Sequence, residues 1–312
     1  MTVLDWLLDS DPAIRWQVMR DLTHEPADVV AAERARVARE GWGARLLALQ
    51  GPDGHWGGGF DAPGWTGTYN TLKLLPELGL DPASAEARRA IGLVRDKVTW
   101  VGMLPQDAAW HGKPFFDGEV EPCINGSVVA LGSYFGQDVQ AIVNRLLGEQ
   151  LSDGGWNCEA ERGSTRSSFN TTICVLAGLL EHERATGGSP EVTATRLRAH
   201  EYLLERRLFR RLSTGEVIDP TWTMFSFPTR YFYDVLRGLD YLRAADAVPD
   251  ERCAEAIDLV ESKRAEDGRW PLENPHPGAV YFDMDEGEGK PSRYNTLRAM
   301  RVLDWYERGR VR

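Results

Sequence analysis

The stretch LLALQGPDGHWGGGFDAPGWTGTYNTLKLLPEL, residues 46–78, decides the fold, because it returns later in the chain. A second copy reads LLGEQLSDGGWNCEAERGSTRSSFNTTICVLAGLL over 146–180, and a third spans 260–303, from VESKRAEDGRW to SRYNTLRAMRVL. Each copy ends a helix, turns through Asp-Gly-x-Trp, loops, and restarts a helix at aromatic-Asn-Thr. Trp56 to Asn70 is 14 residues and Trp156 to Asn170 is 14, whereas Trp270 to Asn295 is 25, so the third copy carries an insertion of 11. Asn70 and Asn170 lie 100 apart, twice a hairpin of about 50 residues. Weaker restarts fall between, at Ile124-Asn125-Gly126 and Tyr233-Asp234-Val235.

Each position in the unit has a physical role. Asp53-Gly54, Asp153-Gly154 and Asp267-Gly268 supply a tight turn with a residue that tolerates positive φ. Gln50 and Gln150 close a helix and can satisfy free backbone groups near it. The Trp packs the turn onto its neighbour. Asn70, Asn170 and Asn295 stand where an N-cap is expected, with Leu and Val following at helical spacing. This pattern predicts one group of helices starting at the Asn positions, over about 68–78, 123–135, 168–186, 230–243 and 293–307. A second group precedes the turns, over about 27–49, 83–97, 138–150, 191–210 and 250–264, and an N-terminal helix covers about 12–23. Two-helix units that share one face stack as a solenoid or close into a ring. The long aromatic loops and the common direction of the Asn-started helices favour the ring. The expected fold is therefore all-α: an α/α toroid, a full or incomplete α6/α6 barrel, of about five hairpins plus an N-terminal helix.

Composition sets the outer bounds. A hydrophobic fraction of 42% with 27% charged residues is that of a globular chain. The net charge of −11 argues against nucleic acid and against an anionic membrane surface for the molecule as a whole, while leaving room for a local basic pocket. Cys123, Cys158, Cys174 and Cys253 are scattered without a CxxC, which reads as reduced thiols in a cytoplasmic protein. The N-terminus MTVLDWLLDSDP lacks a basic n-region, and no apolar run reaches the length of a bilayer span.

The Gln-x-x-Asp-Gly-x-Trp units at 50–56 and 150–156 resemble the QW repeat of squalene-hopene and oxidosqualene cyclases; the third, at 264–270, has Arg264 in place of the Gln. GKPSRYNTLRAMRVL, 289–303, is similar to the zinc-bearing helix of protein prenyltransferase β-subunits. The resemblance covers roughly residues 42–307 and implies an α/α toroid that binds an isoprenoid in a central aromatic cavity, acting on it as a terpene cyclase by protonation or as a prenyl-transfer enzyme. DSDPAIRWQVMRDL, 9–22, resembles a HEAT-type helix, so the expected organisation is a capping helix over 1–25 and a toroid over 26–312.

The resemblance does not carry its catalytic residues with it. Where class II cyclases hold the acid of an Asp-x-Asp-Asp-Thr, this chain reads Tyr69-Asn70-Thr71, Phe169-Asn170-Thr171 and Tyr294-Asn295-Thr296, and an amide cannot protonate an alkene. The prenyltransferase zinc-ligating His is replaced by Asn295, and no Asp-x-Cys partner is present, so neither metal nor cofactor is expected. Three sets of residues remain. Asp285, with Asp283 or Glu286, lies in the third copy's insertion and reads either as an acid site kept protonated by burial or as a solvated acidic loop. Arg166, Arg230 and Arg293 precede the Asn-started helices, with Lys290 beside the last and Tyr231, Tyr233 and Tyr294 as possible hydroxyl donors. They read either as an anion site for a diphosphate or as surface ion pairs. Trp222, with Trp65, Trp110, Phe115, Phe116, Phe225, Phe227 and Phe232, lines either a carbocation pocket or an ordinary core. Two other readings stay open: a non-catalytic toroid that binds lipid or peptide, and an α/α carbohydrate-active enzyme with carboxylates drawn from Asp61, Asp117, Glu119 and Asp283.

Overall fold

The computed structural model describes residues 2–59, 64–101 and 109–310, and Asp61 therefore lies outside the described residues. The described residues form helices and connecting loops, with isolated bridges in place of any strand. In chain order the helices are α1 Val3–Leu8, α2 Pro12–Asp21, α3 Ala27–Ala35, α4 Gly41–Ala48, α5 Thr68–Leu78, α6 Ala85–Lys97 and α7 Pro122–Tyr134. They continue as α8 Gln140–Gly148, α9 Phe169–Thr186, α10 Pro190–Glu205, α11 Val235–Ala244, α12 Ala254–Ser262 and α13 Arg293–Arg310.

The repeat unit is built from its own side chains. Trp56, Trp156 and Trp270 are fully buried, and each indole nitrogen donates to the carbonyl ten residues earlier, in the helix before the turn: Leu46, Leu146 and Val260, at 2.7–2.8 Å. Each Trp amide is received by a threonine hydroxyl of the restarting helix, Thr68, Thr172 or Thr296, at 3.0–3.1 Å. One indole thus ties the end of an outer helix to the start of an inner one. Gln50 donates to the carbonyls of Gly54 and Ala90, and Gln150 to those of Gly154 and Thr195, so the glutamines bond each turn to the following outer helix.

The asparagines occupy the first turn instead of capping it. The caps are Gly67, Ser168 and Ser292, with the Ser168 and Ser292 hydroxyls accepting from Thr171 N and Asn295 N. The amides instead bridge backbone segments. Asn125 donates to Glu119 O and accepts from Glu119 N, both at 2.9 Å; Asn170 accepts from Tyr233 N at 2.7 Å; Asn295 donates to Pro271 O at 3.0 Å. A carboxylate could accept in these places but not donate. At Asn125 and Asn295 the donated bond therefore requires the amide, whereas at Asn170 only acceptance is used.

The ring closes through the inner helices. Helices α5 and α7, α7 and α9, α11 and α13, and α13 and α2 pack directly. Between α2 and α5, Trp16 and Gln17 donate to Leu78 O and Glu77 O at 3.0 and 3.2 Å. Between α9 and α11, Arg184 donates to Ala244 O. The architecture is an α/α toroid, and α2, at the expected position of the N-terminal helix, packs between α13 and α5. Two segments differ from expectation. The helix expected over 27–49 breaks into α3 and α4 around Gly41, whose φ of 66° is unavailable to a continuing helix. The helix expected from 230 begins at Val235, because Asp234 caps it by accepting from Arg237 N at 2.7 Å.

Candidate functional site

The inner helices enclose a cavity of about 530 Å3, to which α2, α5, α7, α9, α11 and α13 all contribute. At one end Phe227, Thr229 and Tyr294 form its floor; the Phe227 and Tyr294 rings stack at 3.5 Å. At the other end the rim carries Arg20 and Arg184, whose side chains are 48% and 49% exposed. Both stand in the last turn of their helices, so the cavity opens at the C-terminal ends of the inner helices. Cations there also offset the negative end of the helix dipoles.

The wall combines aromatic rings (Trp16, Tyr134, Phe227, Tyr241 and Tyr294) and aliphatic side chains with charged groups. Seven cationic side chains line it (Arg20, Arg34, Lys73, Arg184, Arg237, Arg298 and Arg301) against three carboxylates, Glu77, Glu181 and Asp240. That excess of four positive charges sits inside a chain of net charge −11. Some of it is paired: Arg301 contacts Asp21 at 2.6 Å, and Arg298 approaches Asp240 at 3.6 Å and Asp234 at 3.9 Å. Arg20 pairs with Asp21 at 2.6 Å and Arg184 with Glu181 at 3.5 Å, while the other three cations are held by neutral groups. Lys73 donates to Arg230 O at 2.8 Å, Arg237 to Phe232 O at 2.6 Å, and Arg34 to Gly79 O and the Tyr134 hydroxyl at 2.9 and 2.7 Å. Burial depresses the Lys73 ammonium and brings the Arg301 guanidinium down to about 10. Glu77, one turn after Lys73, is pushed up by burial, and its Oε2 has no hydrogen-bond partner among the described residues. A desolvated cation without a carboxylate partner favours an anion that enters with it.

A second cavity of about 110 Å3 shares Phe227 with the first and lies beneath the third repeat's insertion. The insertion is docked by Trp65, whose backbone donates to Ala279 O at 2.8 Å and whose indole donates to His276 O at 3.1 Å. His276 stacks on Phe232 at 4.2 Å. This smaller cavity brings together Asp283, Asp285 and Arg230. Burial raises the Asp285 carboxyl, which accepts from Ser292 Oγ at 2.8 Å and Arg293 N at 3.1 Å, so both its oxygens serve the start of α13. Asp283 and Glu286 are exposed. Arg230 is buried at a φ of 58°, lies over the Trp65 ring at 4.9 Å, leaves its Nε without a partner among the described residues, and is lowered by burial to about 10.

The remaining candidates are dispersed. Arg166 is exposed in the loop before α9. Arg293 lies over Trp6 and donates to Trp6 O. Tyr233 is buried with its hydroxyl on Leu208 O at 2.8 Å, and Trp222 packs on Phe169 and Tyr233. Tyr231 is 43% exposed and stacks on Phe232. Tyr294 is buried, and its hydroxyl has no hydrogen-bond partner among the described residues. Of these candidates only Tyr294 reaches the large cavity. Sequence reasoning missed the charges there, although a signal existed: Lys73 and Glu77, Arg237 and Asp240, and Arg298 and Arg301 recur at three- or four-residue spacing within the inner helices.

No protein-family model matches the chain, and no curated protein matches it. Among solved structures it is similar to a variant of the type II terpene cyclase MstE from Scytonema in complex with geranylgeranyl dihydroxybenzoate. The TM-score is 0.44 and the identity 16%, over 96% of this chain and 87% of that one. A second MstE variant, without ligand, gives a TM-score of 0.41 and 17% identity over 94% and 84%. No described helix is long and apolar enough to cross a membrane.

Proposed function

We propose that this protein binds an anionic amphiphile, a prenyl diphosphate or prenylated carboxylate, in the central cavity of the ring. The excess of positive charge in that cavity carries the reading. Among the described residues Lys73, Arg237 and Arg34 make no ion pair, so a diphosphate or carboxylate head would replace neutral contacts with charge-assisted ones. The tail would rest on the apolar wall, which includes Leu131, Ile173, Leu180 and Phe227. A volume of about 530 Å3 suits an isoprenoid of moderate length. The unbonded thiols fit a cytoplasmic setting.

A second reading, cyclisation started by protonation of an alkene, is favoured by one group. Glu77 is a cavity carboxyl raised by burial with one oxygen unbonded. Asp285 is the alternative acid, and both of its oxygens are engaged at the head of α13.

Calorimetric titration with geranylgeranyl diphosphate and with inorganic diphosphate tests the binding. Saturable uptake of one prenyl diphosphate per chain, weakened at least tenfold by Arg237→Gln with the fold intact, is the expected result. Failure of both compounds and of a prenylated carboxylate to bind would reject it. Product analysis of the same mixtures tests the second reading, which requires a cyclic product from wild type and none from Glu77→Gln.

A further inference from the structure

Two cysteines distant in sequence meet near the N-terminal ends of the inner helices. Cys123 is the second residue of α7, and Cys158 lies in the loop after Trp156, 35 residues on. Their sulfurs are 3.1 Å apart. Both are half-buried, whereas Cys174 and Cys253 are buried. Glu121 Oε2 stands 3.6 Å from Cys123 Sγ, and Thr171 Oγ1 stands 3.4 Å from Cys158 Sγ.

Two chemistries fit a pair of thiols beside a carboxylate. The first is a metal site of Glu121, Cys123 and Cys158, whose donor atoms all lie within 4.8 Å of one another. Two thiolates on a tetrahedral zinc, each about 2.3 Å from it, stand roughly 3.8 Å apart. The observed sulfurs are already closer than that spacing, in direct contact and on the side of the about 2.05 Å that a disulfide requires. We infer that Cys123 and Cys158 are a redox pair that closes to a disulfide and staples the first turn of α7 to the loop of the second repeat.

The oxidant is a low-molecular-weight disulfide such as oxidised glutathione. Cys158, whose sulfur lies 3.1 Å from Cys123 Sγ and 3.4 Å from the Thr171 hydroxyl, is held below the usual thiol range by these contacts and acts as the attacking thiolate. Its sulfur bonds to one oxidant sulfur, the oxidant's S–S bond breaks, and one small thiolate leaves. Cys123 then gives up its proton and attacks the Cys158 sulfur of the mixed disulfide, displacing the second small thiolate. The two protein protons end on the two released thiols. The oxidant gains the two electrons that the cysteines lose.

The test uses the full chain. Thiol titration before and after oxidised glutathione should fall from four free thiols to two, and peptide mapping should find Cys123 joined to Cys158. The oxidised protein should melt at a higher temperature than the reduced one. Cys123→Ser should stop at a glutathione adduct on Cys158, and Cys174→Ser should still form the bond. A count that stays at four, or separate glutathione adducts on both cysteines of the wild type, overturns the proposal. So does one tightly bound zinc per chain, lost on Cys158→Ser, that shields the thiols from the oxidant.

Discussion

Gly126 of α7 faces Gly178 of α9 so closely that a Cβ on Gly178 would stand 2.3 Å from the Gly126 carbonyl oxygen. A Cβ on Gly126 would in turn meet the α9 backbone at Val175 Cα and Cys174 C, 2.6 and 2.7 Å away. The obstacle is backbone on both sides, so no side-chain rotation relieves it. These two glycines set the spacing of one side of the ring. Gly126→Ala and Gly178→Ala are each expected to cost about 1–3 kcal/mol or more, since the helices must part to admit a methyl group. Urea unfolding of each variant measures this; a loss under 0.5 kcal/mol for both would show that the wall yields freely.

The repeat tryptophans make a second test. Trp156→Ala removes a fully buried indole, its bond to Leu146 O and the acceptor organisation around Thr172. The expected loss is about 3–5 kcal/mol. Trp156→Phe keeps most of the apolar area but leaves the Leu146 carbonyl without its indole donor, for about 1–3 kcal/mol. Thermal and urea unfolding should rank the three proteins in that order.

Glu77 makes stability depend on pH with a definite sign. Its folded pKa lies above the unfolded one, so the folded state binds more protons across the interval between them. Its contribution is therefore most favourable below the unfolded carboxyl pKa of about 4.3 and is lost as pH rises through the folded value. Glu77→Gln should be more stable than wild type at neutral pH, with the difference shrinking toward pH 4. Unfolding curves across that range check it, and a variant less stable than wild type at neutral pH would place the carboxylate in an ion pair.

Asn295→Asp tests why the inner helices begin with amides. The carboxylate cannot donate to Pro271 O, and position 295 is fully buried. A loss of about 1–3 kcal/mol at neutral pH is expected, smaller in acid where the side chain regains a proton to donate. Equal stability at both pH values would mean that the amide bridge contributes nothing.

Much of the scaffold was legible because its bonds are short in sequence. The indole-to-carbonyl bond spans ten residues, and the turn lies between its partners, so spacing alone exposes it. The amide positions were legible as helix starts but not in role, since Ser168 and Ser292 do the capping while Asn170 and Asn295 reach to other backbone segments. Asp234, at one of the weaker restarts, caps α11 and accepts from Ser226 Oγ at 3.0 Å.

By itself the sequence determined the hairpin unit, its repetition and the direction of its helices, because local hydrogen bonds and apolar spacing act over a few turns of chain. Only the tertiary structure decided which polar faces point inward. A helix with charges on one side ordinarily turns them to water; closing the ring turns Lys73, Glu77, Arg237 and Arg298 onto a shared cavity instead. It also brought Cys123 to Cys158. Both meetings depend on how the inner helices pack side by side, which no single repeat encodes.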